Sequence, residues 1–128
     1  MRARVLFISP YSEDAHCLVR MLQSIPIDLD HAENLRQAHA KLAELPYQAV
    51  LTEATLPDGE WLDVLNLARG ISDSMAVIVT DRLADAQFWS EVLNLGAFDL
   101  MAQPFYEMEV KRILTNACSR VGSRAFAA

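Results

Sequence analysis

Residues 47–71 read YQAVLTEATLPDGEWLDVLNLARGI, and this stretch decides the fold. Tyr47–Thr52 is a short apolar run suited to a buried strand. Pro57-Asp58-Gly59 marks a turn. Trp61–Ile71 then places apolar residues at helical spacing. A buried strand, a turn and an amphipathic helix form the repeating unit of an α/β layer fold.

The same unit recurs on either side. Upstream, Ala3–Ile8 (ARVLFI) reads as a buried strand, broken by Ser9-Pro10. Ser12 is the expected N-cap of a helix carrying Leu18, Val19, Leu22 and Ile25, with Glu13 and Asp14 in its first turn and Pro26 after its end. Ile27–Ala32 alternates and suits a half-exposed edge strand. Asn34 is placed to cap a helix over Leu35–Leu45. Downstream, Met75–Thr80 is a strongly apolar fourth strand. Asp85–Leu95 reads as a helix ended by Gly96 in the left-handed conformation. Phe98–Ala102 is a short fifth strand, and a last helix is expected from about Tyr106 to Cys118. Five strand–helix units predict a doubly wound, five-stranded parallel sheet with helices on both faces. Residues 1–120 form the expected domain and 121–128 a frayed C-terminal tail.

Composition narrows the function classes. The chain has 128 residues, 52% of them hydrophobic, enough for one domain with a real core. The net charge is −6, and Lys and Arg are scattered instead of clustered. Direct nucleic-acid binding is therefore not expected. No stretch approaches the roughly 20 apolar residues of a membrane span, and no signal peptide is read at the N-terminus. Cys17 and Cys118 read as small apolar positions in helices, which fits a reducing, cytoplasmic setting. His16, His31 and His39 do not stand at metal-ligand spacing.

In open parallel sheets, sites form at the carboxyl ends of the strands. The residues there are Ser9-Pro10, Glu53, Thr80 and Gln103. At this point the chain resembles the receiver (CheY-like) family of response regulators over almost its whole length. The resemblance rests on RVLFI, on AVLTEATLPDGEW with Pro57 four residues after Glu53, on VIVT ending at Thr80, and on LGAFDLMAQPF. It implies a flavodoxin-like strand order of 2-1-3-4-5 and a role in two-component phosphorelay signalling.

The resemblance also implies a chemistry that these residues lack. Receivers use two acids after the first strand to hold Mg²⁺, an Asp nucleophile after the third, a Thr or Ser after the fourth and a Lys before the Pro after the fifth. The matching positions hold Ser9, Pro10, Glu53, Thr80 and Gln103, so only Thr80 agrees. The aromatic switch position matches Leu100. Mg²⁺ seeks carboxylate oxygens, and Ser9 and Pro10 supply none. Glu53 extends its carboxylate by one methylene, about 1.5 Å. Misplacement on that scale can cost on the order of 100-fold in rate.

The expectation is a degenerate pseudo-receiver, not an enzyme, with Mg²⁺ binding lost and no other cofactor. It signals through a protein partner: a histidine kinase, an output domain or a second copy. Glu53 reads either as a stand-in for a phosphorylated Asp or as a tolerated polar residue at a solvent-facing strand end. Thr80 and Gln103 are both placed to donate to it. Thr80 reads as a relic switch residue or as a strand-end hydroxyl satisfying backbone. Phe88 and Trp89 lie about 100° apart on one helix, so one is expected to pack and the other to face out. By the resemblance, the surface of the fourth helix, fifth strand and fifth helix is a partner face, here Trp89, Leu93, Tyr106, Glu109, Lys111 and Arg112. Two rivals stay open. One is a working receiver phosphorylated at Glu53 or another acceptor. The other is a flavodoxin-like binder of a small ligand, although Ser9–Ser12 lacks the glycines of a phosphate loop.

Overall fold

A computed structural model of the chain describes residues 2–83 and 85–127, with side chains described as far as Ser119. Its strands are β1 (Ala3–Ile8), β2 (Ile27–Ala32), β3 (Ala49–Glu53), β4 (Thr55–Leu56), β5 (Gly59–Glu60), β6 (Ala76–Asp81) and β7 (Asp99–Ala102). The helices are α1 (Ser12–Met21), α2 (Leu35–Glu44), α3 (Trp61–Ile71), α4 (Ala86–Asn94) and α5 (Glu107–Ala127). One five-stranded sheet runs β2-β1-β3-β6-β7, with every pairing parallel. Counting only its own strands, that is the expected order 2-1-3-4-5. β4 and β5 form a separate antiparallel hairpin around Pro57-Asp58.

Strand alternation divides the core. Val5 and Phe7 of β1 face α1 and α5 and pack with Leu18, Ile113 and Leu114. Leu6 and Ile8 face the other way and pack with residues of α2, α3 and α4, including Leu42, Val64 and Val92. Burial on both faces explains why the central strands read as unbroken apolar runs. The edge strand β2 is half-buried along its middle, and its sequence alternates accordingly. Trp61, at the start of α3, is buried in the core.

Local chemistry sets most boundaries. The Asn34 side chain accepts from the Gln37 N–H at 2.8 Å and caps α2. Asp85 caps α4 by accepting from the Phe88 N–H at 2.8 Å. Gly96 takes φ 115°, the left-handed geometry that ends α4. Two expectations need correction. Ser12 does not cap α1: it is the first helical residue, and Tyr11 sits at the cap with no side-chain bond. The Ser9 hydroxyl accepts from the Tyr11 N–H instead, at 3.1 Å, and turns the chain one residue earlier. The last helix runs to Ala127, well beyond Cys118. No proline interrupts residues 119–127, and their Ala and Arg residues favour helix. The expected fraying of 121–128 concerns side chains and a final residue, Ala128, that lie outside the described residues.

Candidate functional site

The parallel ladder brings four strand ends to one edge. Glu53, the last residue of β3, stands in register with Thr80, and Thr80 with Met101. Ser9 follows β1 and is fully buried, its N–H donating to the Ala32 carbonyl at 2.9 Å. Pro10 is exposed. Gln103 follows β7, and its peptide bond to Pro104 is cis. The structure therefore gathers Ser9, Glu53, Thr80 and Gln103 at one edge, as the sequence implied.

The hydrogen bonds differ in one respect from expectation. The Gln103 amide donates to Glu53 Oε1 and to Thr80 Oγ1, both at 3.0 Å. The Thr80 hydroxyl donates to the Met101 carbonyl at 2.8 Å. A hydroxyl has one proton, so Thr80 accepts from Gln103 and does not donate to Glu53. Thr80 is the strand-end hydroxyl of the two readings, bound to backbone.

Glu53 is not at a solvent-facing strand end: only 7% of it is exposed. Burial pushes its carboxyl above the ordinary value of 4.5. The Gln103 hydrogen bond pulls the other way, Asp14 adds repulsion, Arg82 attracts, and Asp81 repels. The group is thus held partly desolvated, with one amide donor and a nearby guanidinium.

That guanidinium is the residue the sequence reading missed. Arg82 Nε donates to Gln103 Oε1 at 2.9 Å, and Nη2 pairs with Asp14 Oδ2 at 3.2 Å. Its carbon lies 4.9 Å from the centre of the Tyr11 ring, a cation–π contact. Asp14 is more than a first-turn acid on α1, since it bridges to the loop after β6. One signal was available: Arg82 lies two residues past Thr80, at the carboxyl edge where sites form. A cleft of about 340 Å³ lies between Tyr11, Glu53, Thr55, Asp81, Arg82 and Leu83.

The remaining candidates separate. Leu100 is 3% exposed and packs in the core on the α2–α4 side. Phe88 packs against that core, whereas Trp89 is 44% exposed. Leu93, Tyr106 and Arg112 are exposed as well. Glu109 is half-buried and accepts from the Ala102 N–H at 3.2 Å. Lys111 pairs with Glu107 at 2.8 Å across one helical turn. Both cysteines are free and half-buried.

No protein-family model matches the chain. The virulence transcriptional regulatory protein PhoP of Salmonella typhimurium is 31% identical over 107 residues, covering 84% of this chain and 48% of that protein. The transcriptional regulatory protein KdpE of Staphylococcus aureus is 28% identical over 116 residues, covering 87% of this chain and 48% of that protein. The chain spans about half the length of these curated relatives, or less: the response regulator protein PilR of Pseudomonas aeruginosa is matched over 23% of its length. Among solved structures, a signal receiver domain from Vibrio parahaemolyticus superposes with TM-score 0.90 at 20% identity, covering 99% of this chain and 98% of that one. A CheY-like response regulator receiver domain protein from Methanospirillum hungatei gives TM-score 0.85 at 17% identity, over 97% and 99%. At those identities the structures speak for the fold, and the curated relatives, all regulators, carry the sequence kinship. With its strand order, its helix layers and these likenesses taken together, the chain has the receiver (CheY-like) fold, and its sequence is similar to those of response regulators.

Proposed function

We propose that this receiver-type domain signals by binding a protein partner and does not accept a phosphoryl group. The observation that carries this reading is the filled carboxyl edge. Glu53 is bound by the Gln103 amide, and the adjacent acid, Asp14, is paired with Arg82. Phosphoryl transfer depends on positioning and on neutralising charge as it develops. A buried carboxylate already engaged by an amide, with no cation among the described residues in direct contact to take up charge as it develops, is poorly set for that step.

The donor set also fits Mg²⁺ poorly. Mg²⁺ takes near-octahedral oxygen ligands, usually including one or two carboxylates. Ser9 is fully buried with its hydroxyl bound to Tyr11, Pro10 has no side-chain donor, and Asp14 faces a guanidinium. Among the described residues, no three His, Cys, Asp or Glu side chains gather as a metal-holding group. Partner binding has an available surface in Trp89, Leu93, Tyr106 and Arg112 on α4 and around the start of α5. The partner is a histidine kinase, an output domain or a second copy, and the setting is cytoplasmic. No helix among the described residues is long and apolar enough to cross a membrane.

The test is chemical. The protein is incubated with acetyl phosphate and Mg²⁺, and its intact mass is measured. The expected spectrum shows no phosphoryl adduct. A stoichiometric adduct that survives acid and is lost in base would overturn the reading.

A further inference from the structure

The loop after β6 carries a side chain that touches three residues on two other segments at once. Arg82 donates through Nε to Gln103 on the loop after β7, pairs through Nη2 with Asp14 on α1, and lies over the ring of Tyr11 before α1. The Gln103 amide then has only one workable orientation. Its oxygen faces the Arg82 donor, so its nitrogen faces Glu53 and Thr80. Turning the amide over would set N–H against N–H at Arg82 and oxygen against carboxylate at Glu53.

We propose that Arg82 is a built-in cation that fixes the carboxyl edge in one arrangement, orienting Gln103, tying down α1 through Asp14 and supplying the counter-charge beside Glu53. It is a positioning residue for that edge. The inference goes beyond the proposed function, because it stands whether or not the domain accepts phosphate.

The charge alone does not account for the arrangement. Arg82 is 58% exposed on its side chain, and an isolated pair at that exposure contributes little. What distinguishes this group is its shape. A planar fork holds two acceptors at fixed angles while its face rests on an aromatic ring. A lysine brings the same charge as a single flexible point and cannot meet all three partners. Asp14 is only 22% exposed, so releasing it leaves a half-buried carboxylate beside Glu53.

Amide hydrogen exchange on the whole chain tests this, with Arg82→Ala, Arg82→Lys and Asp14→Asn beside wild type. For Arg82→Ala, exchange should quicken together, by about tenfold or more, in segments 11–15, 81–85 and 102–106, while β1, β3 and α3 stay protected. Arg82→Lys should recover little of that protection. Asp14→Asn should loosen 11–15 without moving the Gln103 side-chain amide signals in an NMR spectrum, whereas Arg82→Ala should move them. Should Arg82→Ala destabilise the whole fold, the milder Arg82→Lys and Asp14→Asn variants still decide the matter. Faster exchange confined to 81–85, full rescue by lysine, or unmoved Gln103 amide signals in Arg82→Ala would each overturn the proposal.

Discussion

The molecule contains two arginine–carboxylate networks of similar make-up, and they are wired differently. At the β1–β2 edge, Arg4 Nη1 pairs directly with Asp30 Oδ2 at 3.1 Å, and the Tyr47 hydroxyl donates to the same oxygen at 2.7 Å. The Arg4 backbone N–H also donates to the Gln48 side chain at 2.6 Å. At the carboxyl edge, Arg82 reaches Glu53 only through the Gln103 amide. Asp30 thus has a cation and a phenol on one oxygen, whereas Glu53 has a neutral amide and a cation one residue removed. The lesson is that a guanidinium near a carboxylate need not touch it: one network pairs directly and the other through an amide. At the carboxyl edge the Gln103 hydrogen bond and the relayed cation do not offset burial, and the proton affinity of Glu53 stays raised.

The largest effect is expected from Thr80→Val. Valine matches the shape of threonine but removes the hydroxyl that donates to the Met101 carbonyl, and it takes from Gln103 one of its two acceptors. Thr80 is fully buried, so the loss should be roughly 1–3 kcal/mol, read from urea unfolding. A loss well below that range would show that the carboxyl-edge network is not cooperative with the sheet. Tyr47→Phe is the counterpart at the other edge. It removes the donor to Asp30 while Arg4 remains, so about 1 kcal/mol should be lost by the same measurement. If this change proved the more costly of the two, the contrast between direct and relayed pairing would be misdrawn.

The smallest effect concerns pH. Glu53 holds its proton more tightly when folded than its ordinary 4.5. The folded state therefore binds more protons than the unfolded state between 4.5 and the raised value, and stability falls as pH rises through that window. Glu53→Gln removes this dependence. Its thermal midpoint should gain on wild type as pH rises from about 4 to 8, with the two converging at the acid end. A midpoint difference that stays constant across that pH range would mean that Glu53 does not titrate differently in the fold.

Much of the architecture was legible because it depends on short-range signals. The unbroken apolar runs at Val5–Ile8, Ala49–Leu51 and Ala76–Val79 mark doubly covered strands, and Asn34, Asp85 and Gly96 mark helix ends. One failure is local, and the others arise where a partner is distant in sequence. Ser12 has the right chemistry for a cap, but the backbone turn held by Ser9 displaces it by one residue. The edge positions Ser9, Glu53, Thr80 and Gln103 followed from strand ends alone. Arg82 did not, because its partners Asp14 and Gln103 lie 68 and 21 residues away, and its one local signal, a place two residues past Thr80, does not reveal them. The burial of Glu53 was hidden for the same reason: it depends on loops from three other strands.

The hairpin after β3 has a consequence for anyone who wishes to re-wire this chain. Asp58 at its tip accepts from the N–H groups of Leu35 and Arg36, at 2.8 and 3.1 Å, and these bonds hold its carboxyl below the ordinary range. Beside it, a β-carbon on Gly59 would come within 2.8 Å of the Asp63 carboxylate and 3.0 Å of Leu35. An exposed Pro-Asp-Gly tip is where one would ordinarily open a protein to create new termini or graft a peptide. In this molecule such a cut would unfasten the first turn of a helix more than twenty residues upstream. The tip is a buckle, and insertions would be better tolerated at a turn whose backbone fastens nothing else.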